Sequence, residues 1–204
     1  MGMLNFYPVP ESQLLLPLGG RDLDRYLMHL SPKALRQLST EEVAYIKRHY
    51  CSVAPTLTST SLRKRTTCLL PDGSQITLSS ELQMGSEMLF NPSLAGLADV
   101  PPIDQSIIDA VFSVPDNRAY TLLRMVFSSG GSLKLPGFSS RLKQCLLNRT
   151  ASKLLDTVKK NPHSELAVWW GGSVFASLST FKKMCITRAE YEEEGPGIVS
   201  NRWL

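Results

Sequence analysis

Apolar residues recur at helical spacing in two segments near the start of the chain. In RDLDRYLMHL, positions three or four apart form one apolar face, which predicts an amphipathic helix: Leu23, Tyr26, Leu27 and Leu30. Ser31-Pro32 ends this helix, because a residue before proline avoids the helical conformation. A second helix is expected in LSTEEVAYIKRHYC, with Ser39 or Thr40 as N-cap and two glutamates in the first turn, where the helix dipole favours them.

Other stretches have the apolar density of strands. TTCLLPDGSQITL contains two β-prone runs around Pro71-Asp72-Gly73, which predicts a hairpin. The basic triplet Arg63-Lys64-Arg65 precedes it, and the pattern favours protection of an edge strand over a phosphate contact. Short buried strands are expected in QLLL (13–16) and YTLLRMVF (120–127), a weak strand within positions 153–160, and another strand in LAVWW (166–170).

Two double glycines follow predicted strands and precede predicted helices, at Gly130-Gly131 and Gly171-Gly172. Glycines there allow the backbone to approach a ligand and to direct free N–H groups at an anion. Neither pair has the spacing of a P-loop or of a dinucleotide fingerprint, so close packing of helix on sheet is the favoured interpretation. Trp169 and Trp170 would face opposite sides of a strand, one in the core and one along a groove.

Composition narrows the class of protein. The 204 residues are 43% hydrophobic and 20% charged, as in ordinary globular α/β proteins, and a net charge of +4 is small for a nucleic-acid binder. No apolar run approaches the ~20 residues of a membrane span, and the first residues lack a signal-peptide pattern. Four scattered cysteines and three separated histidines predict neither a metal site nor a disulfide framework. We therefore expect a cytosolic or nuclear protein without nucleic-acid or membrane partners.

The sequence offers little for catalysis. A GxSxG elbow is missing, and the cysteines lie in apolar or helical contexts that are typical of buried thiols. The carboxylate runs Glu41-Glu42 and Glu192-Glu193-Glu194 are interpreted as solvated faces or dipole partners, because neighbours on a helix point in different directions. No catalytic residue is predicted.

Taken together, the segments resemble the C-terminal half of the actin and actin-related protein family. The resemblance is carried, in family order and over nearly all of the chain, by GGRDLDRYLM, LPDGSQITL, SEMLFNPSL, SSGGSLKLPGFSSRL and VWWGGSVFASLSTFKKMCITRAEYEEEGP. It implies the α/β, ribonuclease-H-like actin/Hsp70/hexokinase ATPase fold, in which two lobes hold ATP and a divalent metal.

The implied fold is incomplete here, with the second lobe and the C-terminal part of the first. Residues 1–204 would form one actin-like region, with an outer subdomain at about 19–95, an inner subdomain from 1–18 and 96–163, and the first-lobe part at 164–204. The family's two phosphate-gripping hairpins and its metal-holding residues would precede this region. ATP and Mg²⁺ are therefore expected as cofactors of the complete fold and not of this chain alone.

The resemblance assigns a nucleotide-facing side to this chain. Gly130, Gly131 and Ser132 match the family's glycine loop, and Lys47 matches its adenine-side lysine. The departures are as informative, since Arg48 replaces an acidic ribose partner, Leu135 replaces a tyrosine, and Glu165 replaces a lysine that stacks on adenine. A carboxylate at position 165 would repel a polyphosphate, so weak or absent ATP binding is expected.

A partner groove is also implied, since the family receives amphipathic helices between its two inner subdomains. Its walls match Trp170, Val174, Phe175, Leu178, Thr180 and Met184. Val174, Leu178 and Phe181 also form a helical stripe that an ordinary core would explain, which leaves Phe175 and Met184 as the residues of interest.

The expected function is that of an actin-related cytoskeletal structural or interaction protein without ATPase activity. Its partners would be other actin-like subunits or actin-binding proteins, in the cytoplasm and cytoskeleton, with the nucleus as the alternative. A second hypothesis is a fragment of a full-length ATP-binding actin-like protein, either a filament or a chromatin-remodelling subunit. Half of this fold would expose apolar surface, so poor solubility or an obligate partner is expected.

Overall fold

The computed structural model describes residues 3–4, 7–56, 65–114, 119–123, 126–150, 158–159 and 163–203. The chain forms two compact units, unit 1 from Met1 to Glu165 and unit 2 from Leu166 to Leu204. The subdomain limits given above remain predictions.

Unit 1 mixes helices with short strands. Its α-helices are α1 Gly20–Leu30, α2 Pro32–Leu35, α3 Thr40–Tyr50, α4 Glu81–Glu87, α5 Ile103–Phe112, α6 Ala119–Leu123 and α7 Phe138–Thr150. Its strands are β1 Met3–Leu4, β2 Tyr7–Pro8, β3 Thr66–Leu69, β4 Gln75–Leu78, β5 Val126–Phe127 and β6 Val158–Lys159. The described residues of unit 1 also include 3-10 turns at Pro10–Ser12, Pro92–Ala95 and Gly131–Lys134.

The two helices that the apolar spacing predicts are confirmed as α1 and α3. Ser39 is the N-cap of α3, where its N–H donates to Glu42 Oε2 at 2.7 Å and its hydroxyl oxygen accepts from the Glu42 N–H. This reciprocal pair satisfies two backbone donors that the first turn leaves without helical partners. Both helices bury their apolar faces in one core, in which α1 packs against α3 and α4.

The predicted hairpin is confirmed as well. β3 and β4 pair antiparallel, with Thr66 opposite Leu78 and Leu69 opposite Gln75. In the turn, Asp72 Oδ1 accepts from both the N–H and the hydroxyl of Ser74, which fixes the local chain reversal. β1 and β2 form another antiparallel pair, and β5 and β6 pair in parallel.

Two of the predicted strands are wrong in unit 1. QLLL (13–16) is irregular backbone after a 3-10 turn, and Leu15 is 97% exposed. YTLLRMVF begins as helix α6, and of its described residues Val126–Phe127 is strand, while 124–125 lie outside the described residues. A short apolar run does not distinguish helix from strand, and the alternation needed to decide is missing in both. Of positions 153–160, Val158–Lys159 is strand, while 153–157 and 160 lie outside the described residues, as do Arg63 and Lys64.

Unit 2 consists of four helices, α8 Ala167–Ser177, α9 Phe181–Met184, α10 Arg188–Glu194 and α11 Gly197–Trp203. The predicted strand LAVWW is therefore wrong, since helix α8 contains both tryptophans and the Gly171-Gly172 pair. Strand propensity reflects packing on a half-buried sheet, and the described residues of unit 2 contain no strand. Adding a Cβ at either glycine would meet no atom within 4 Å, so the expected close helix–sheet packing is also wrong.

Within the described residues, no helix combines the length and the apolar character needed to cross a membrane.

Candidate functional site

Lys47, on α3, is turned into unit 1 toward the start of α1. Its Nζ donates to the Gly20 carbonyl at 2.6 Å and to Asp24 Oδ2 at 2.9 Å, and Asp24 Oδ1 lies 2.8 Å away. The side chains of Lys47 and Asp24 are only 14% and 6% exposed. The ammonium group is thus neutralised inside the protein by a carboxylate of the neighbouring helix.

Ser132 lies close to the same point. A Cβ built on Gly20 would lie 3.3 Å from Lys47 Nζ and 3.5 Å from Ser132 Oγ. The structure therefore brings two of the predicted nucleotide-side residues together around Gly20, and their head groups fill the space beside its backbone. Gly20 and Asp24 were not among the predicted site residues, although both belong to the GGRDLDRYLM motif.

The segment 130–137, which begins with the glycine loop (130–134), is anchored at both ends. Gly130 has φ +115°, and its N–H donates to the Ser164 carbonyl at 2.8 Å. Gly137 has φ +88°, and a Cβ there would lie 2.1 Å from the Val53 carbonyl oxygen, so glycine is required. Over Gly130 and Gly131, by contrast, a Cβ would meet nothing within 4 Å. The loop is open at its tip but its Gly130 amide is engaged.

Glu165 pairs with Lys134, which lies at the end of the same loop. The hydrogen bond from Lys134 is the main reason why the pKa of the Glu165 carboxyl is held below its usual value. The expected repulsion of a polyphosphate is therefore reduced, because a cation that the sequence reasoning missed compensates the carboxylate. Lys134 and Glu165 are 31 positions apart, and no local pattern signals their contact.

The two other residues that depart from the family pattern make their contacts within the chain. Arg48 is exposed, and its Nε donates to the Ala44 carbonyl of its own helix at 3.1 Å. Leu135 is buried in the core of unit 1. Some of the donors that the resemblance assigns to ATP on this side have recorded contacts. In each such case, the partner is another group of this chain.

The predicted groove residues form an apolar surface on unit 2. Helix α8 contains no charged residue, and side chains on opposite sides of it are exposed together: Val168, Trp169, Trp170 and Val174. Phe175 is 37% and Met184 38% exposed, while Leu178 and Thr180 are exposed in the connection to α9. We call these six predicted residues, with Val168 and Trp169, the α8–α9 face.

The core interpretation of the Val174, Leu178 and Phe181 stripe is wrong for the first two residues, whose side chains are exposed, while the third is half-buried. Phe175 packs edge-on against Phe181, with ring centroids 5.4 Å apart and planes at 84°. This contact orients α8 against α9 and leaves part of the Phe175 ring accessible.

The described residues contain no group of three or more His, Cys, Asp or Glu side chains that could hold a metal ion. Cys51 and Cys68 are buried free thiols, and burial raises the pKa of Cys51 to about 12. Such thiols are poor nucleophiles at neutral pH, since the thiolate is the reactive form.

Unit 1 is of the mixed α/β class that part of an actin-type fold requires. The family model for actin matches residues 32–203, and the chain therefore belongs to the actin family. It is 32% identical over 201 residues to actin-like protein 9 of Mus musculus, and 34% identical over 203 residues to that of Bos taurus. It is also 33% identical over 192 residues to actin-like protein 9 of Homo sapiens.

These matches cover most of this chain but only part of its relatives. They include 95%, 95% and 90% of the chain, and 48%, 48% and 46% of the mouse, bovine and human proteins. The chain therefore spans about half the length of the curated relatives it matches.

Proposed function

We propose that this chain is a structural or interaction protein of the actin-related class, which binds other proteins and does not hydrolyse ATP. Its place is the cytoskeleton in the cytoplasm, with the nucleus as the alternative. The observation that supports this proposal is the exposed α8–α9 face of unit 2.

A helix that is apolar on all sides is ordinarily buried. Helix α8 has this character, yet Trp170 and Val174 on one side and Val168 and Phe175 on another are accessible. A contiguous apolar surface of this kind marks a site that another polypeptide covers. Burial of a single large side chain there contributes about 1.5–3 kcal/mol, part of which offsets the entropy lost on association.

The partner is an actin-like subunit or an actin-binding protein that presents an amphipathic helix. Such a helix inserts its apolar stripe between exposed hydrophobic side chains. Lys182 and Lys183 are exposed beside Met184 on α9, so acidic residues flanking the stripe would complement the charge of this rim.

The test is a double substitution, Phe175→Asp with Met184→Asp, in the full chain. We expect binding to purified actin, or to a purified second copy of the chain, to weaken at least tenfold by biolayer interferometry. Leu94→Asp is the matched control, because Leu94 is 40% exposed but lies in unit 1. Equal binding by the double variant and the control would reject the α8–α9 face as the docking surface.

The absence of hydrolysis is a separate part of the proposal. Phosphoryl transfer depends on positioned groups that stabilise the developing charge, and Lys47 and Lys134 are both neutralised by carboxylates of this chain. We expect no phosphate release above background when the chain is incubated with Mg-ATP. Sustained release that follows the protein through purification would contradict this.

A second candidate is a fragment of a full-length ATP-binding actin-like protein, either a filament or a chromatin-remodelling subunit. The half-length match to the relatives favours it, because the remaining half of such a protein would then cover the α8–α9 face. An immunoblot of the endogenous product separates the two candidates. A band near 22.6 kDa supports the chain as it stands, and a band at about twice that mass supports the fragment.

A further inference from the structure

We propose that unit 1 closes its own nucleotide-side surface with two internal ties, so that it folds and stays folded without a nucleotide. The first tie joins α3 to α1 through Lys47, Asp24 and Gly20. The second joins the glycine loop to the turn at 163–165. The inference concerns unit 1 alone and is independent of partner binding by unit 2.

The first tie occupies the lysine that the family resemblance assigns to the nucleotide. Lys47 Nζ has three protons, and it donates to the Gly20 carbonyl at 2.6 Å and to Asp24 Oδ2 at 2.9 Å. With Lys47 only 14% exposed, a nucleotide could recruit this ammonium only by pulling it from a nearly buried carboxylate. Removing one partner of a buried ion pair is unfavourable, because it leaves the other charge uncompensated.

The second tie engages both the backbone and a side chain of the glycine loop. The Gly130 N–H, which would otherwise be free for an anion, donates to the Ser164 carbonyl at 2.8 Å. Four residues on, Lys134 pairs with Glu165, the residue next to Ser164. Two adjacent residues of the turn therefore hold the two ends of the Gly130–Lys134 segment.

Together the ties balance the local charge. Lys47 is offset by Asp24, and Lys134 by Glu165. Around Gly20 the Lys47 and Ser132 head groups fill the space next to the backbone. The residues present on this side do not fit a bound nucleotide in this conformation, and they connect the elements that a nucleotide would otherwise bridge.

Thermal unfolding of the full chain tests the proposal, with Mg-ATP or Mg-ADP added to 1 mM. Unit 1 is followed through Cys51 and Cys68, which are buried and become open to alkylation only on unfolding, as read by mass spectrometry. We expect each nucleotide to shift the midpoint by less than about 1 °C. A ligand present at a hundred times its Kd would raise it by about 5–10 °C. A shift of that size would overturn the inference.

Variants test the first tie. Asp24→Asn and Lys47→Met should each lower the midpoint of Cys51 and Cys68 labelling by roughly 5–15 °C, as expected when one partner of a buried pair is lost. Arg25→Gln is the matched control on the same helix, because it removes the exposed Arg25–Asp22 pair and should change the midpoint by less than about 3 °C.

The outcomes are separable. Equal midpoints for Asp24→Asn and Arg25→Gln would refute the first tie. If neither tie variant folds, the nucleotide titration of the unchanged chain still decides the inference. Loss of partner binding through the α8–α9 face would leave all of these results unaltered, since the thiols report only on unit 1.

Discussion

The two units differ in what stabilises each of them internally. Unit 1 has a continuous core in which Leu27, Ile46, Phe138 and Leu146 are almost fully buried. In unit 2, the only hydrophobic side chain of the described residues that is buried is Ile198, while the tryptophans of α8 are exposed. Within unit 2, helix α10 has a side-chain cap and an internal ion pair, and a second ion pair joins it to α11. Unit 1 is therefore stabilised from within, and unit 2 carries the surface for something else to cover.

The largest expected difference between the two units is in the effect of truncating an aromatic side chain. Phe138→Ala removes a ring that is 1% exposed and packs on Phe90, so we expect a loss of about 3–5 kcal/mol in the free energy of unfolding of unit 1. Phe175→Ala in unit 2 should change that value by no more than about 0.5 kcal/mol. Urea unfolding followed by Cys51 and Cys68 labelling measures both. Similar losses for the two variants would mean that unit 2 shares the core of unit 1.

The next prediction concerns the backbone of unit 1 at Gly137. Gly137→Ala combines a positive φ of 88° with a Cβ only 2.1 Å from the Val53 carbonyl oxygen, and should cost about 2–4 kcal/mol. Gly73→Ala is the control, since Gly73 has φ 86° but open space around its Cβ. It should cost about 1 kcal/mol, from the conformation alone. Equal costs at the two positions would exclude the Val53 clash as the cause.

The same capping box occurs in both units and allows a matched comparison. Ser39 and Glu42 form it on α3, and Thr187 and Glu190 form it on α10. Ser39→Ala should lower the stability of unit 1 by about 1 kcal/mol, because α3 belongs to the cooperative core. Thr187→Ala should instead speed amide hydrogen exchange in α10 while the unit 1 midpoint stays constant. A lowered unit 1 midpoint for Thr187→Ala would contradict the separation of the units.

Local signals explain which elements the sequence could predict. Helices α1 and α3 and the β3–β4 hairpin were predicted because apolar spacing, the Ser39 cap and the Pro-Asp-Gly turn act within a few residues. The LAVWW strand failed because its aromatic and branched residues suit a sheet that the described part of unit 2 does not provide. As a helix, the segment satisfies its backbone internally, for example through the Trp170 N–H and the Leu166 carbonyl.

The candidate site was predictable only in part. Resemblance singled out Lys47 and Ser132, and the fold brings their head groups together. The acceptors that engage Lys47 could not be foreseen, since Asp24 lies 23 positions away and its role depends on how α1 packs on α3. Lys134 was missed for the same reason. Charge compensation between distant residues requires the tertiary fold.

Acid should act on the two units in opposite senses, through one glutamate in each. The hydrogen bond from the Thr187 N–H is the main reason why the pKa of Glu190 falls from 4.5 to about 2, and Arg202 adds to it. A lowered folded-state pKa stabilises the α10 cap above pH 4.5, and this is lost as the pH falls toward 2. In unit 1, burial raises the pKa of Glu87 despite Arg141, so its contribution is present at low pH and is lost as the pH rises.

The measurement is a carboxyl NMR titration of the full chain between pH 6 and pH 2. Glu190 should titrate well below its ordinary pKa of 4.5, at about 2, and α10 amide exchange should accelerate only in the acidic part of the range. The variant Glu190→Gln should remove this pH dependence, since it leaves no charge to lose. If Glu190 instead titrates near its ordinary value of 4.5, the capping box does not persist in solution. Helix α10 would then lack its N-terminal cap and would depend on its remaining contacts or on a covering partner.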